Sequence, residues 1–62
     1  MKDIRKQSIA QSIKEGMESA NDSSLEFALN WCENEYENSH EEGETLEEWK
    51  DVCFAARDEY LR

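Results

Sequence analysis

The stretch Thr45–Tyr60, TLEEWKDVCFAARDEY, decides the fold. Leu46, Trp49, Cys53, Ala56 and Tyr60 recur at spacings of three, four, three and four. That is the period of a helix with one apolar seam, which Val52 widens. Thr45 and Glu48 stand as T-x-x-E at its start, the pattern in which a threonine oxygen accepts one orphan amide and a glutamate reaches back to another. No alternation of apolar and polar residues competes with this helical period, so a strand is not expected. Phe54 and Leu61, seven apart, lie off the seam.

Reading upstream, Ser23 and Glu26 repeat the capping pattern as S-x-x-E. Behind them Leu25, Ala28, Leu29, Cys32 and Tyr36 form a second apolar face, and Phe27 and Trp31, four apart, pair on a neighbouring one. Asn38, Ser39, His40 and Gly43 interrupt the pattern. Further back, Ile9, Ile13, Met17 and Ala20 make a third stripe, with Asp3 suited to cap its start and to face the positive end of the helix dipole. Gly16 inside this stripe costs about 1 kcal/mol relative to alanine, which marks either a weak point or a close approach of helices. Asn21-Asp22-Ser23 is a short polar break. The expectation is all-α, a compact three-helix bundle with helices near 3–20, 23–38 and 45–61 in a single domain, 1–62. Its expected core is Ile9, Ile13, Met17, Leu25, Leu29, Cys32, Trp49, Val52, Cys53 and Tyr60. So small a core leaves a marginal domain, and self-association is one way such a chain is stabilised.

Charge narrows the function. Sixteen acidic and seven basic residues give a net charge of -9. Residues 1–14 carry +3, through Lys2, Arg5, Lys6 and Lys14 against Asp3, so the rest carry -12. Residues 33–48 hold Glu33, Glu35, Glu37, Glu41, Glu42, Glu44, Glu47 and Glu48 and no lysine or arginine. A field of that sign repels nucleic acid and anionic membranes and attracts basic protein surfaces. No apolar run reaches the roughly 18 residues of a membrane span, and the first 20 residues have no apolar leader segment. Two cysteines are too few for a disulfide scaffold, and both sit in apolar stripes, which points to free thiols in the cytoplasm; one bridge between facing helices is the other arrangement open to them.

Chemistry-bearing motifs fail on their own terms. Glu33, Glu35, Glu37 and Glu44 match positions 1, 3, 5 and 12 of a calcium loop, but such loops begin with short carboxylates and need glycine at position 6, where Asn38 stands. Cys32, His40 and Cys53 have seven and twelve residues between them, without the short paired spacings of structural zinc. A cysteine nucleophile activated by His40 conflicts with thiols buried in apolar stripes, where the thiolate is disfavoured. No phosphate loop is present. A helix-turn-helix reading would place Glu44, Glu47 and Glu48 against phosphates. Neither enzyme activity nor a cofactor nor a metal is expected.

The remaining signal is the acidic surface beside aromatics that the stripes leave over. The expected partner-binding set is Phe27, Trp31 and Phe54 as apolar anchors, with Glu33, Glu35, Glu41, Glu42, Glu44, Glu47 and Glu48 as steering charges. A shared patch of these aromatics would serve a protein partner with a basic surface, or a homodimer. Two alternatives stand beside it: a DNA-mimic inhibitor whose carboxylates replace phosphates, and weak nucleic-acid binding through the basic first helix.

In length, charge, the opening Ile4-Arg5-Lys6-Gln7-Ser8-Ile9 and the closing helix, the chain resembles the short acidic helical accessory proteins of phage early regions, including the lambdoid interval between exonuclease and excisionase genes. The resemblance implies a non-enzymatic protein that modulates a host or phage DNA-metabolism or regulatory protein through protein contacts. It transfers no site residues.

Overall fold

The computed structural model describes residues 1–62 and contains three helices: α1 (Asp3–Ala20), α2 (Leu25–Ser39) and α3 (Leu46–Tyr60). They pack as a three-helix bundle of 31 × 20 × 16 Å. Side-chain bonds fix the directions. Arg5 at the start of α1 reaches Glu44 just before α3, and Lys14 reaches Glu59 near the end of α3, so α1 and α3 run parallel. Arg57 Nε donates to Ser23 O at 2.8 Å, which sets α2 antiparallel to α3.

The ends of the helices follow from local chemistry. Thr45 and Glu48 form the capping box: Glu48 N donates to Thr45 Oγ1 at 3.2 Å and Thr45 N to Glu48 Oε1 at 3.1 Å. The cap of α2 is Ser24, one residue after the expected Ser23; its hydroxyl accepts from Phe27 N at 3.1 Å. Asp22 Oδ1 accepts Ser24 N at 2.9 Å and turns the chain into that geometry, which leaves the Ser23 carbonyl free for Arg57. Asp3 is likewise inside the first turn of α1, with Lys2 at the cap position and no side-chain cap bond. Asn21 takes the left-handed conformation (φ 52°) that closes α1, with Asn21 N on Glu18 O and Asp22 N on Met17 O, the paired bonds of a Schellman-like ending.

Eight residues are buried: Ile9, Ile13, Met17, Ala28, Cys32, Trp49, Cys53 and Ala56. Four residues of the expected core fall outside this set. Leu25 is 56% and Tyr60 37% exposed, because each sits in the terminal turn of its helix. Leu29 is only half-buried, and Val52 packs on the core from its edge. The reason at Leu29 is rotation of α2. Its inward face is Ala28 and Cys32, and Phe27 and Trp31, expected to be left over, pack partly against the core, as does Phe54. Two aromatics carry a large apolar area to that flank, and Ala28 lets the helix sit close. The close approach foreshadowed by Gly16 is real: a Cβ there would lie 3.1 Å from Trp31 Nε1 and 3.8 Å from Phe27 Cζ.

No helix is long and apolar enough to cross a membrane. Cys32 and Cys53 are free, fully buried thiols that face each other between α2 and α3.

Candidate functional site

The structure divides the expected partner-binding residues into two kinds, those bonded within the fold and those without an internal cation. Glu44 belongs to the first. Arg5 grips it twice, Nε to Oε2 at 2.8 Å and Nη2 to Oε1 at 3.2 Å. Trp49 Nε1 and Glu41 N also donate to Oε1, both at 2.9 Å. The side chain is only 9% exposed, and the Arg5 bonds above all hold its pKa down to about 2. The Arg5 guanidinium also lies 5.4 Å from the centre of the Trp49 ring, within cation–π range. Tyr36 completes the knot: its hydroxyl donates to Glu44 O at 3.3 Å, it meets Trp49 edge-on, and it stacks on His40 at 4.2 Å. Glu48 is consumed as well, by the capping box and by the Met1 ammonium at 3.1 Å; the ammonium bond above all lowers its pKa. Glu44 and Glu48 are therefore structural clamps in this chain, not free steering charges.

The other carboxylates differ. Apart from Glu41, Glu44, Glu48 and Glu59, no acidic side chain has a cationic nitrogen within 4.0 Å. Glu33, Glu42 and Glu47 are exposed and Glu35 is half-buried. Glu41 is loosely held by Arg5 Nη1 at 3.7 Å.

The three aromatics do not share a patch. Phe27 and Trp31 lie on the flank of α2 that touches Gly16 of α1. Phe54 is three residues before Arg57 on α3, on the flank whose arginine reaches the start of α2, so α2 stands between the two positions. Only the first pair opens on a surface groove, of about 270 Å³, lined by Asp22, Ser24, Glu26, Phe27, Asn30, Trp31 and Asn34. Sequence reasoning missed Asp22 and Glu26 in its rim. The available signal was spacing: on a helix, Glu26 and Asn30 are four apart, as Asn30 and Asn34 are, and they bracket the Phe27–Trp31 pair.

A larger open hollow, about 500 Å³, lies by the start of α1 between Met1, Lys2, Ile4, Arg5, Ser8, Glu41 and Glu44. Within it Arg5 and Glu44 satisfy each other. No three His, Cys, Asp or Glu side chains converge as metal ligands would. Burial pushes both thiols up in pKa, and each thiol perturbs the other, the opposite of nucleophile activation.

Comparison with protein-family models, with curated proteins and with solved structures finds no match to this chain.

Proposed function

We propose that the chain is a small non-enzymatic interaction module that binds a protein partner with a basic surface, through Phe27 and Trp31 and the carboxylates the fold leaves unpaired. One observation carries this reading: the half-buried aromatic pair opens on a groove whose acidic rim, Asp22 and Glu26, has no internal cation. The aromatics supply area that is removed from water on binding, and the unpaired Glu33, Glu35, Glu42 and Glu47, with Glu41 that Arg5 holds only loosely, raise the association rate. Following the resemblance to phage accessory proteins, the partner is a host or phage protein of DNA metabolism or regulation. The two free thiols suit action in a reducing cytoplasm. Phe54 is set apart from the other two anchors by α2, and the proposal does not rest on it.

Tagged protein in cells of the source organism should capture one or more proteins with a basic surface. Trp31→Ala, and separately the triple variant Glu33→Gln, Glu42→Gln, Glu47→Gln, should each reduce that capture. Retention of the same proteins by both variants refutes the module. A partner whose binding ignores Trp31→Ala but falls steeply with salt would instead fit the DNA mimic, in which carboxylates stand for phosphates.

A further inference from the structure

The seam between α1 and α2 differs from the other two. These two helices touch each other less than either touches α3, and the space is filled by Phe27 and Trp31, both only half-buried, lying across Gly16. Because Gly16 faces α2, its neighbours Ser12 and Ser19, four before and three after, share that flank of α1. The groove itself is lined by α2 and the turn before it, with Phe27 and Trp31 as its apolar residues and Gly16 beside them. The charged residues that line the groove have one sign. Asp22 and Glu26 line the groove, followed along α2 by Asn30 and Asn34, and neither carboxylate has a cationic partner. The cations nearest the ends of α2 neutralise neither carboxylate: Arg5 bonds Glu44 and Ser39 O, and Arg57 bonds Ser23 O, while Lys14 turns to Glu59.

We propose that the α1–α2 seam is a docking groove for one basic amphipathic helix of a partner protein, which completes a four-helix arrangement. This rests on the reading of the chain as a module for a basic partner and specifies its site and the partner's form. An aliphatic stripe on such a helix covers Phe27 and Trp31, while lysines or arginines beside the stripe meet Asp22 and Glu26. The α2 helix, 15 residues long, offers a track of about 22 Å, the length of a partner helix of about 15 residues.

The test uses synthetic peptides of that length made of leucine and lysine. One has leucine at the helical i, i+3, i+4, i+7 period, one has the same composition in strict alternation, and one has the helical pattern with glutamate for lysine. Calorimetric titration at about 0.15 M salt should show the helical lysine peptide binding at least about tenfold more tightly than either control. Trp31→Ala should weaken that binding by about tenfold or more, and Asp22→Asn with Glu26→Gln should weaken it further. Phe54→Ala, on the other side of α2, should leave it unchanged. Circular dichroism confirms that each variant is folded.

Equal binding of the alternating lysine peptide overturns the helix groove but leaves the basic-partner reading standing. Equal binding of the glutamate peptide overturns both. Absence of binding by every peptide, or tight binding that ignores Trp31→Ala, overturns the groove, and the capture experiment then decides the broader reading. Sedimentation showing a dimer of the free protein that Trp31→Ala dissolves would assign the seam to a second copy of this chain and overturn the proposal.

Discussion

Replacing Glu44 by glutamine tests whether the clamp at the start of α3 holds the bundle together. The Glu44→Gln side chain keeps an oxygen for Trp49 Nε1 and for Glu41 N but removes the charge that Arg5 grips through Nε and Nη2. The carboxyl pKa falls from its ordinary 4.5 to about 2 in the folded chain, which sets a linkage ceiling of about 3.4 kcal/mol. Arg5 is itself 24% exposed, so water screens the pair and the expected loss is smaller, about 2 kcal/mol. A chain of 62 residues has a total stability of only about 3–9 kcal/mol. The melting temperature at pH 7 should therefore fall by roughly 10 °C. The pH dependence has a definite sign. A depressed carboxylate contributes fully above its unfolded pKa and loses that contribution as pH falls through the folded one, so the wild-type advantage should persist at pH 6, shrink from about pH 4.5 downward and be mostly gone by about pH 2. Thermal melts by circular dichroism across this range measure it. Glu44→Gln melting within a degree or two of wild type at pH 7 would refute the clamp, as would an advantage at pH 2 as large as that at pH 7.

Gly16→Ala sets a helix-propensity gain of about 1 kcal/mol against a Cβ only 3.1 Å from Trp31 Nε1; near-neutral stability with altered Trp31 fluorescence is expected, whereas Gly16→Leu should lower the melting temperature clearly. If Gly16→Leu melts like wild type, α1 and α2 do not approach as described. Cys32 and Cys53, fully buried and with raised pKa values, should not react with a thiol-specific aromatic disulfide in the native protein and should both react in guanidinium; prompt native labelling would show that the α2–α3 interface is open.

How far the sequence can be read depends on what each signal reports. Helix period and capping are local, and they locate all three helices to within a residue or two; the T-x-x-E box at Thr45 forms as written. Which face turns inward is a tertiary matter. For α1 and α3 one apolar stripe dominates, so Ile9, Ile13, Met17, Trp49 and Cys53 are legible as core. For α2 two faces compete, Leu25–Leu29 and Phe27–Trp31. The pattern alone favours the leucines, but Gly16 on the neighbouring helix makes room for the aromatics. A glycine in one helix thus bears on the rotation of another, and no windowed reading of either helix contains that information.

The same limit governs the acidic surface. Eight glutamates between residues 33 and 48 look alike in a sequence, because charge counting ignores distance. In the fold they separate by what lies within hydrogen-bond reach. Glu44 meets Arg5 from 39 residues away, and Glu48 meets the Met1 ammonium from 47 away. Each pairing spans more than half the chain, and each exists only because α1 and α3 run parallel with their starts together. Residues that close such long-range pairs are lost to a partner, since breaking them would leave a partly desolvated arginine or ammonium without its counter-charge. The charges free to act outward are therefore the ones with no distant cation, and among them Asp22 and Glu26 gain importance from position alone. They sit beside the two aromatics that the bundle covers only in part, where, on the proposed reading, a carboxylate would bear on the affinity of an apolar contact as well as on its rate.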